Sequence, residues 1–180
     1  MKSYLLLAAT LVVAGGCSPR EGRSDVGEYL VMQTDFEAPT RALPDSIVHS
    51  LTSNQAHSGT AALLLDWSHK SSGTYSVPLG SLFRTRPRKL HFSTWAWVKQ
   101  YEDDATVTIA VSAPNDANSI VAQKTLYLAD NGPYEQWKEV AVDFDLPSTI
   151  SQASHLMIYA RHNAATEPVY IDDWRIFEIR

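Results

Sequence analysis

From Glu28 onward, apolar and polar residues alternate with a period of two far more often than 3.6, which predicts strands rather than helices. The predicted strands are Tyr29–Met32, Ala61–Trp67, Gly73–Val77, Lys89–Lys99, Thr106–Ser112, Ile120–Leu128, Lys138–Asp145, His155–Ala160 and Val169–Ile179. Turn formers separate them, as in Ala113-Pro114-Asn115-Asp116, Asp130-Asn131-Gly132-Pro133 and Leu146-Pro147-Ser148. No long amphipathic helix and no internal repeat interrupts this pattern. Short strands at even spacing predict an all-β fold, an antiparallel jelly roll or β-sandwich.

Alternation also assigns faces. In 89–99, Leu90, Phe92, Thr94, Ala96 and Val98 share the core parity, while His91, Ser93, Trp95, Trp97 and Lys99 share the other. In 155–163, Leu156, Ile158 and Ala160 point inward, with His155, Met157, Tyr159 and Arg161 opposite. Val140, Val142 and Phe144 go inward in the strand between, leaving Glu139, Ala141 and Asp143 outside. Two strands thus offer an outward face that is both aromatic and polar.

The N-terminus follows a different rule. Lys2 precedes the apolar run Leu5–Ala14, which is too short for the roughly 20 residues a membrane-spanning helix needs and reads as the core of a signal peptide. The run ends in Val13-Ala14-Gly15-Gly16-Cys17, which resembles the lipobox of bacterial lipoproteins. Small side chains there suit a signal peptidase, and a thiol at the first mature position suits acylation. The resemblance implies residues 1–16 as signal peptide, Cys17 as the lipidated residue, and a lipid anchor in the bacterial cell envelope. The outer membrane is the expected location, with the membrane face left open. The alternative is an ordinary secretory signal followed by a buried cysteine. Residues 17–27, mixing Pro, Gly, Ser and charges without an apolar period, are expected to be a tether to a domain at 28–180.

Composition narrows the function. The 180 residues hold one domain, and 44% apolar content with five Trp, eight Tyr and five Phe is enough for a sizeable core. A formal charge of -5 is the wrong sign for a nucleic-acid binder. A single cysteine excludes an internal disulfide framework and a cysteine-based zinc site. The six histidines, at 49, 57, 69, 91, 155 and 162, include no pair at i,i+2 or i,i+4, so each is read as a surface or hydrogen-bonded residue. Glu102-Asp103-Asp104 is read as a solvated loop. Adjacent carboxylates such as Asp103-Asp104 and Asp172-Asp173 do not form the spaced pair that glycoside hydrolysis needs. No Gly-x-Ser-x-Gly elbow is present, so no enzyme activity is expected. The basic run Arg84-Thr85-Arg86-Pro87-Arg88-Lys89 is either a soluble loop or a patch for anionic glycan or lipid headgroups.

Four pieces occur in a characteristic order: Asp35-Phe36-Glu37, Ala56-His57-Ser58-Gly59-Thr60, Phe92-Ser93-Thr94-Trp95-Ala96-Trp97-Val98-Lys99, and Tyr170-Ile171-Asp172-Asp173-Trp174. Together they resemble carbohydrate-binding modules with a galactose-binding-like jelly roll, over about Tyr29 to Ile179. The resemblance implies non-catalytic binding of a polysaccharide or other glycan. It also implies a structural calcium ion held by Glu37, the backbone around His57 and Thr60, and Asp172. Calcium favours carboxylates mixed with carbonyls, which these positions supply.

The outward parity then supplies a glycan platform: His91, Trp95, Trp97 and Lys99 from one strand, with Tyr159 and Arg161 from a second strand expected in the same concave sheet. A flat indole beneath the C–H face of a pyranose, with a cation beside its hydroxyls, is complementary chemistry. Trp97 stands where the resembling modules carry a Trp, whereas Trp95 has packing under a loop as its alternative. Trp137 and Trp174 are read as packing residues, and Trp67 as either. The competing function is a structural or adhesion lipoprotein of the same fold that binds another envelope protein. An exposed aromatic pair favours glycan, and its burial under a loop favours the protein partner.

Overall fold

The computed structural model describes residues 27–37 and 43–180, so the signal segment and Cys17 lie outside the described residues. Ten strands and two one-turn helices follow in order: β1 Glu28–Thr34, α1 Asp45–Val48, β2 Leu51–Thr52, β3 Ala62–Leu65, β4 Ser71–Pro78, α2 Leu79–Leu82, β5 Lys89–Val98, β6 Ala105–Ala113, β7 Asp116–Tyr127, β8 Gln136–Asp145, β9 His155–His162 and β10 Val169–Ile179. All nine predicted strands form. The short β2 and the two helices are too brief to leave a period in the sequence.

The strands assemble into two antiparallel sheets, as expected of a jelly-roll β-sandwich. One has the order β2-β3-β10-β5-β8, with β1 also on β10, and the other has the order β4-β9-β6-β7. Between them lies the core, filled by the inward parities. Leu90, Phe92, Ala96 and Val98 of β5 meet Val107, Ile109 and Val111 of β6 and Leu156, Ile158 and Ala160 of β9, all essentially without solvent exposure. Both residue sets are mostly branched or aromatic and suit a pleated, buried surface.

β10 organises the larger sheet because it is flanked along one edge by two partners in succession. β3 pairs with Val169–Ile171 and β1 with Trp174–Ile179, while β5 runs along the opposite edge. The register on β5 slips between Asp172 and Arg175, and Asp173 adopts a left-handed φ of 51°. This bulge flips the strand's alternation. Val169 and Ile171 point inward before it, and Trp174 and Ile176 point inward after it, all fully buried. Strict alternation from Val169 would instead send Asp173 and Arg175 inward.

The turn after β1 locks onto the same region. Phe36, at φ 60°, is buried and packs its ring edge-on against Trp174 at 5.2 Å. Its backbone N–H donates to the Thr34 hydroxyl at 3.2 Å. Left-handed backbone is unfavourable for an aromatic residue, and burial against the indole offsets that cost. The turn thereby carries Glu37 over the loop that precedes β3.

Candidate functional site

Three carboxylates converge on the loop 56–61. Asp172 Oδ2 accepts the backbone N–H groups of His57 at 2.8 Å and Ser58 at 3.1 Å, and its Oδ1 accepts the N–H of Asp173 at 2.7 Å. Asp173 takes the His57 ring at 2.6 Å and the Ser58 hydroxyl at 2.9 Å. Glu37 accepts the Thr60 N–H at 2.6 Å and hydroxyl at 2.9 Å, and the N–H of Ala61 as well. Gly59 makes this approach possible: at φ +58° a Cβ would lie 2.6 Å from the Glu37 carboxyl carbon. The bonds from Thr60 and Ala61 hold the Glu37 carboxyl below the usual glutamate range. Burial pushes Asp172 up, against the N–H groups of Ser58, Asp173 and His57.

The four residues expected at a calcium ion therefore do surround one loop. Their recorded contacts are N–H and O–H donors on carboxylate oxygens. Among the described residues, no group of three or more His, Cys, Asp and Glu side chains is placed to hold a metal ion. Among the described residues, His57 is the one salt-bridge partner recorded for any of the three carboxylates.

The expected six-residue platform does not form as one surface. β5 belongs to the larger sheet and β9 to the smaller, so Tyr159 and Arg161 lie on the opposite side of the sandwich from His91, Trp95, Trp97 and Lys99. Alternation fixes which face of a sheet a residue occupies, not which sheet its strand joins. The β5 members are also engaged. His57 stacks on Trp95 with ring centres 3.9 Å apart and planes 11° from parallel. The same imidazole meets Trp137 edge-on at 5.6 Å. Trp97 packs edge-on against Tyr170 at 5.7 Å, His91 bonds Asp143 at 2.9 Å, and Lys99 pairs with Glu167 at 2.9 Å.

The outer face of the smaller sheet is shaped differently. Along β6, the outward residues are Thr106, Thr108, Ala110 and Ser112, all small and all buried. β9 borders them with Met157, Tyr159 and Arg161, and β7 with Gln123, Thr125 and Tyr127, which face Ala110, Thr108 and Thr106 in register. Small residues between longer ones make a trough with a hydroxyl-bearing floor. The Arg161 guanidinium sits 5.4 Å from the Tyr159 ring centre, and Tyr127 is 55% exposed at the far rim. Sequence reasoning missed the floor and Tyr127. The run of small outward residues in 106–112 was the signal available.

Both adjacent acidic pairs are loop anchors. Asp103, expected in a solvated loop, is fully buried: Oδ1 accepts the N–H and hydroxyl of Thr166 and the N–H of Glu167, and Oδ2 accepts the N–H of Gln100. His162 also departs from expectation. It is buried, and among the described residues neither ring nitrogen has a hydrogen-bond partner. Trp67 is 60% exposed and Trp174 is core, while Trp137 stands on the outer face opposite Trp97.

No protein-family model and no curated protein matches the sequence. Solved structures do match. The second family 22 xylan-binding domain of Xyn10C from Paenibacillus barcinonensis superposes with a TM-score of 0.50 at 18% identity, covering 82% of this chain and 99% of that one. The first module of the same protein gives 0.50 at 15% identity, covering 87% and 99%. A Clostridium thermocellum xylanase crystallised with its family 22 module and xylohexaose gives 0.53 at 14% identity, covering 86% of this chain and 29% of that one. The structural neighbours are thus carbohydrate-binding modules, and the architecture is their galactose-binding-like jelly roll.

One titration tests the engaged β5 face. Lys89, at 2.6 Å, and His91 both bond the Asp143 carboxylate and hold it below the usual aspartate range. A lowered folded pKa means that the group's contribution to stability is present above the unfolded pKa and is lost as pH falls through the folded one. An NMR titration should place the Asp143 midpoint below that of a free aspartate, with Lys89→Met moving it upward. A midpoint indifferent to that substitution would remove the assigned cause.

Proposed function

We propose that this protein binds glycan without chemistry, in the trough on the outer face of the β4-β9-β6-β7 sheet. One observation carries the reading: the Tyr159–Arg161 pair rises beside a floor of Thr106, Thr108 and Ala110, with Tyr127 across it. The rings offer apolar faces for pyranose C–H groups, while Arg161 and the threonine hydroxyls bond sugar hydroxyls. The xylan-binding description of the structural neighbours supports the same class of ligand.

Removing a stacked ring should cost on the order of 1 to 3 kcal/mol, the scale known for bases stacked on aromatic side chains. Titration calorimetry with soluble xylan should therefore give Tyr159→Ala and Arg161→Ala weakened binding with intact melting curves, and Trp97→Ala unchanged binding. Loss with Trp97→Ala alone would move the site to the larger sheet.

The half-buried aromatic face around Trp95 and Trp97 supports a second reading, a structural or adhesion role towards another envelope protein. His57 already occupies one face of Trp95, which leaves less indole for a sugar. Binding to no glycan, together with co-purification of an envelope protein that Trp97→Ala abolishes, would favour it.

Two further parts belong to the proposal. Glu37, the backbone of His57 and Thr60, and Asp172 take a calcium ion, supported by three carboxylates around one loop with a single imidazole as recorded salt-bridge partner. Calcium that binds the folded state only raises stability. EDTA should thus lower the melting temperature and added calcium should restore it; a temperature unmoved by either would reject the ion.

The other part is anchoring to the bacterial envelope, at the outer membrane, through Cys17, supported by the small residues before the sole thiol. Wild-type protein should incorporate radioactive palmitate and partition into detergent, and Cys17→Ala should do neither. Labelling that persists in the variant would end the lipoprotein reading.

A further inference from the structure

At one end of the sandwich β5 begins while β8 and β10 finish, since Lys89 pairs with both Asp145 and Ile179. β1 starts at the same place: Glu28 pairs with Ile179, and the Arg180 N–H donates to the Gly27 carbonyl at 3.1 Å. A cleft of about 460 Å³ lies there between the basic run and the end of β10, lined by Thr85, Arg86, Arg88, Glu178, Ile179 and Arg180. The chain from Cys17 therefore enters the domain beside this cleft. Residues 17–26 reach at most about 35 Å when fully extended, so an anchor at Cys17 would keep this end of the sandwich close to the bilayer.

The basic run is held by its backbone and leaves its charges outward. The Arg88 carbonyl accepts the Leu146 N–H at 2.8 Å, the Arg84 carbonyl accepts Gln152 Nε2 at 2.8 Å, and Pro87 is buried. Arg84, Arg86 and Arg88 are exposed, and among the described residues none of them makes a salt bridge. One Arg86 nitrogen donates to the Pro147 carbonyl at 3.3 Å. Lys89 is matched by Asp143, and Arg180 by the buried Glu178. The Arg180 guanidinium also lies 4.6 Å from the centre of the half-exposed Tyr29 ring. Glu28 and Asp145 border this end without lining the cleft. The opposite end, where β5 stops and β8 starts, carries Glu102, Asp104 and Glu135.

We propose that this end of the domain docks on anionic phospholipid, with Arg86, Arg88 and Arg180 around a headgroup phosphate. Guanidinium groups match phosphate oxygens two at a time, which a loop presenting several of them can exploit. Tyr29 beside them suits the membrane–water boundary, where one end of its ring is apolar and the other wet. An anionic surface attracts the arginine end and repels the acidic one, so both ends favour the same orientation. Each contact is weak alone, but a short tether keeps the headgroups at high local concentration. Position decides between lipid and an anionic glycan, because the cleft lies where the chain leaves for its anchor. The inference rests on the Cys17 reading above and uses no residue of the trough.

The test is cosedimentation of the full chain carrying Cys17→Ala with vesicles of phosphatidylcholine alone, or of an equal mixture of phosphatidylcholine and phosphatidylglycerol. Without the acylated thiol the docking surface is read by itself, while palmitate labelling of the wild type reads the anchor, so the two fail separately. Binding to the mixed vesicles should exceed binding to phosphatidylcholine tenfold or more, and the excess should shrink as salt is raised. Adding Arg86→Gln and Arg88→Gln should remove the excess. Adding Lys70→Gln and Lys124→Gln, an equal loss of charge elsewhere, should keep it. Equal binding to the two vesicle types, or an excess that both pairs of substitutions remove alike, would overturn the docking surface. Binding of polygalacturonate that the arginine pair alone abolishes, with no preference for mixed vesicles, would overturn lipid as the occupant.

Discussion

The hydrogen bonds from the 56–61 loop to Asp172 and Asp173 are possible because β10 breaks its own alternation there. The bulge sits where β3 ends and β1 begins along one edge, so the backbone can turn two carboxylates towards the loop without losing a full-length partner. The same extra residue swings Trp174 into the core, where Phe36 meets it. Phe36 in turn carries Glu37 to Thr60 and Ala61. Loop, edge strand and core are thereby coupled through one local irregularity, and weakening the contacts of Asp172, Asp173 or Trp174 exposes buried carboxylate or indole.

That coupling sets what each face of the sandwich can do. On the larger sheet the clasped loop brings His57 down onto Trp95, turning a flat aromatic surface into packing. On the smaller sheet the β6 floor residues are buried by neighbouring strands because they are short. A polymer laid in the trough would meet hydroxyls beneath and rings at the rim. At the end of the sandwich where β10 begins, buried Asp103 holds the β9–β10 loop through the N–H groups of Thr166 and Glu167. Aromatic side chains in one small domain thus serve as core, packing lid and exposed wall, according to what their neighbours leave uncovered.

Much of this was legible in the chain. Period-two alternation located the nine long strands and the inward faces of β5, β8 and β9, since a strand buried on one side must alternate. The ordered pieces Asp35-Phe36-Glu37, Ala56-His57-Ser58-Gly59-Thr60 and Tyr170-Ile171-Asp172-Asp173-Trp174 pointed to the residues that meet around one loop, because the motif spacing carries the architecture with it. Trp174 was correctly read as packing. The burial of Asp103, with three of its acceptor bonds arriving from residues more than sixty positions away, left no local trace.

Taken alone, then, the sequence determined the strands, their inward faces, the jelly-roll class and the loop on which Glu37, His57, Thr60 and Asp172 converge. The tertiary structure decided that β9 pairs with β4 and β6 while β5 pairs with β10 and β8, which separates Tyr159 and Arg161 from Trp95 and Trp97. It also decided the bulge at Asp172–Asp173 and the isolation of His162 beside Trp67. The physical reason is one of range. Side-chain direction along a strand is set by its own backbone geometry, whereas sheet membership and the burial of loop residues are settled by contacts between residues far apart in the chain.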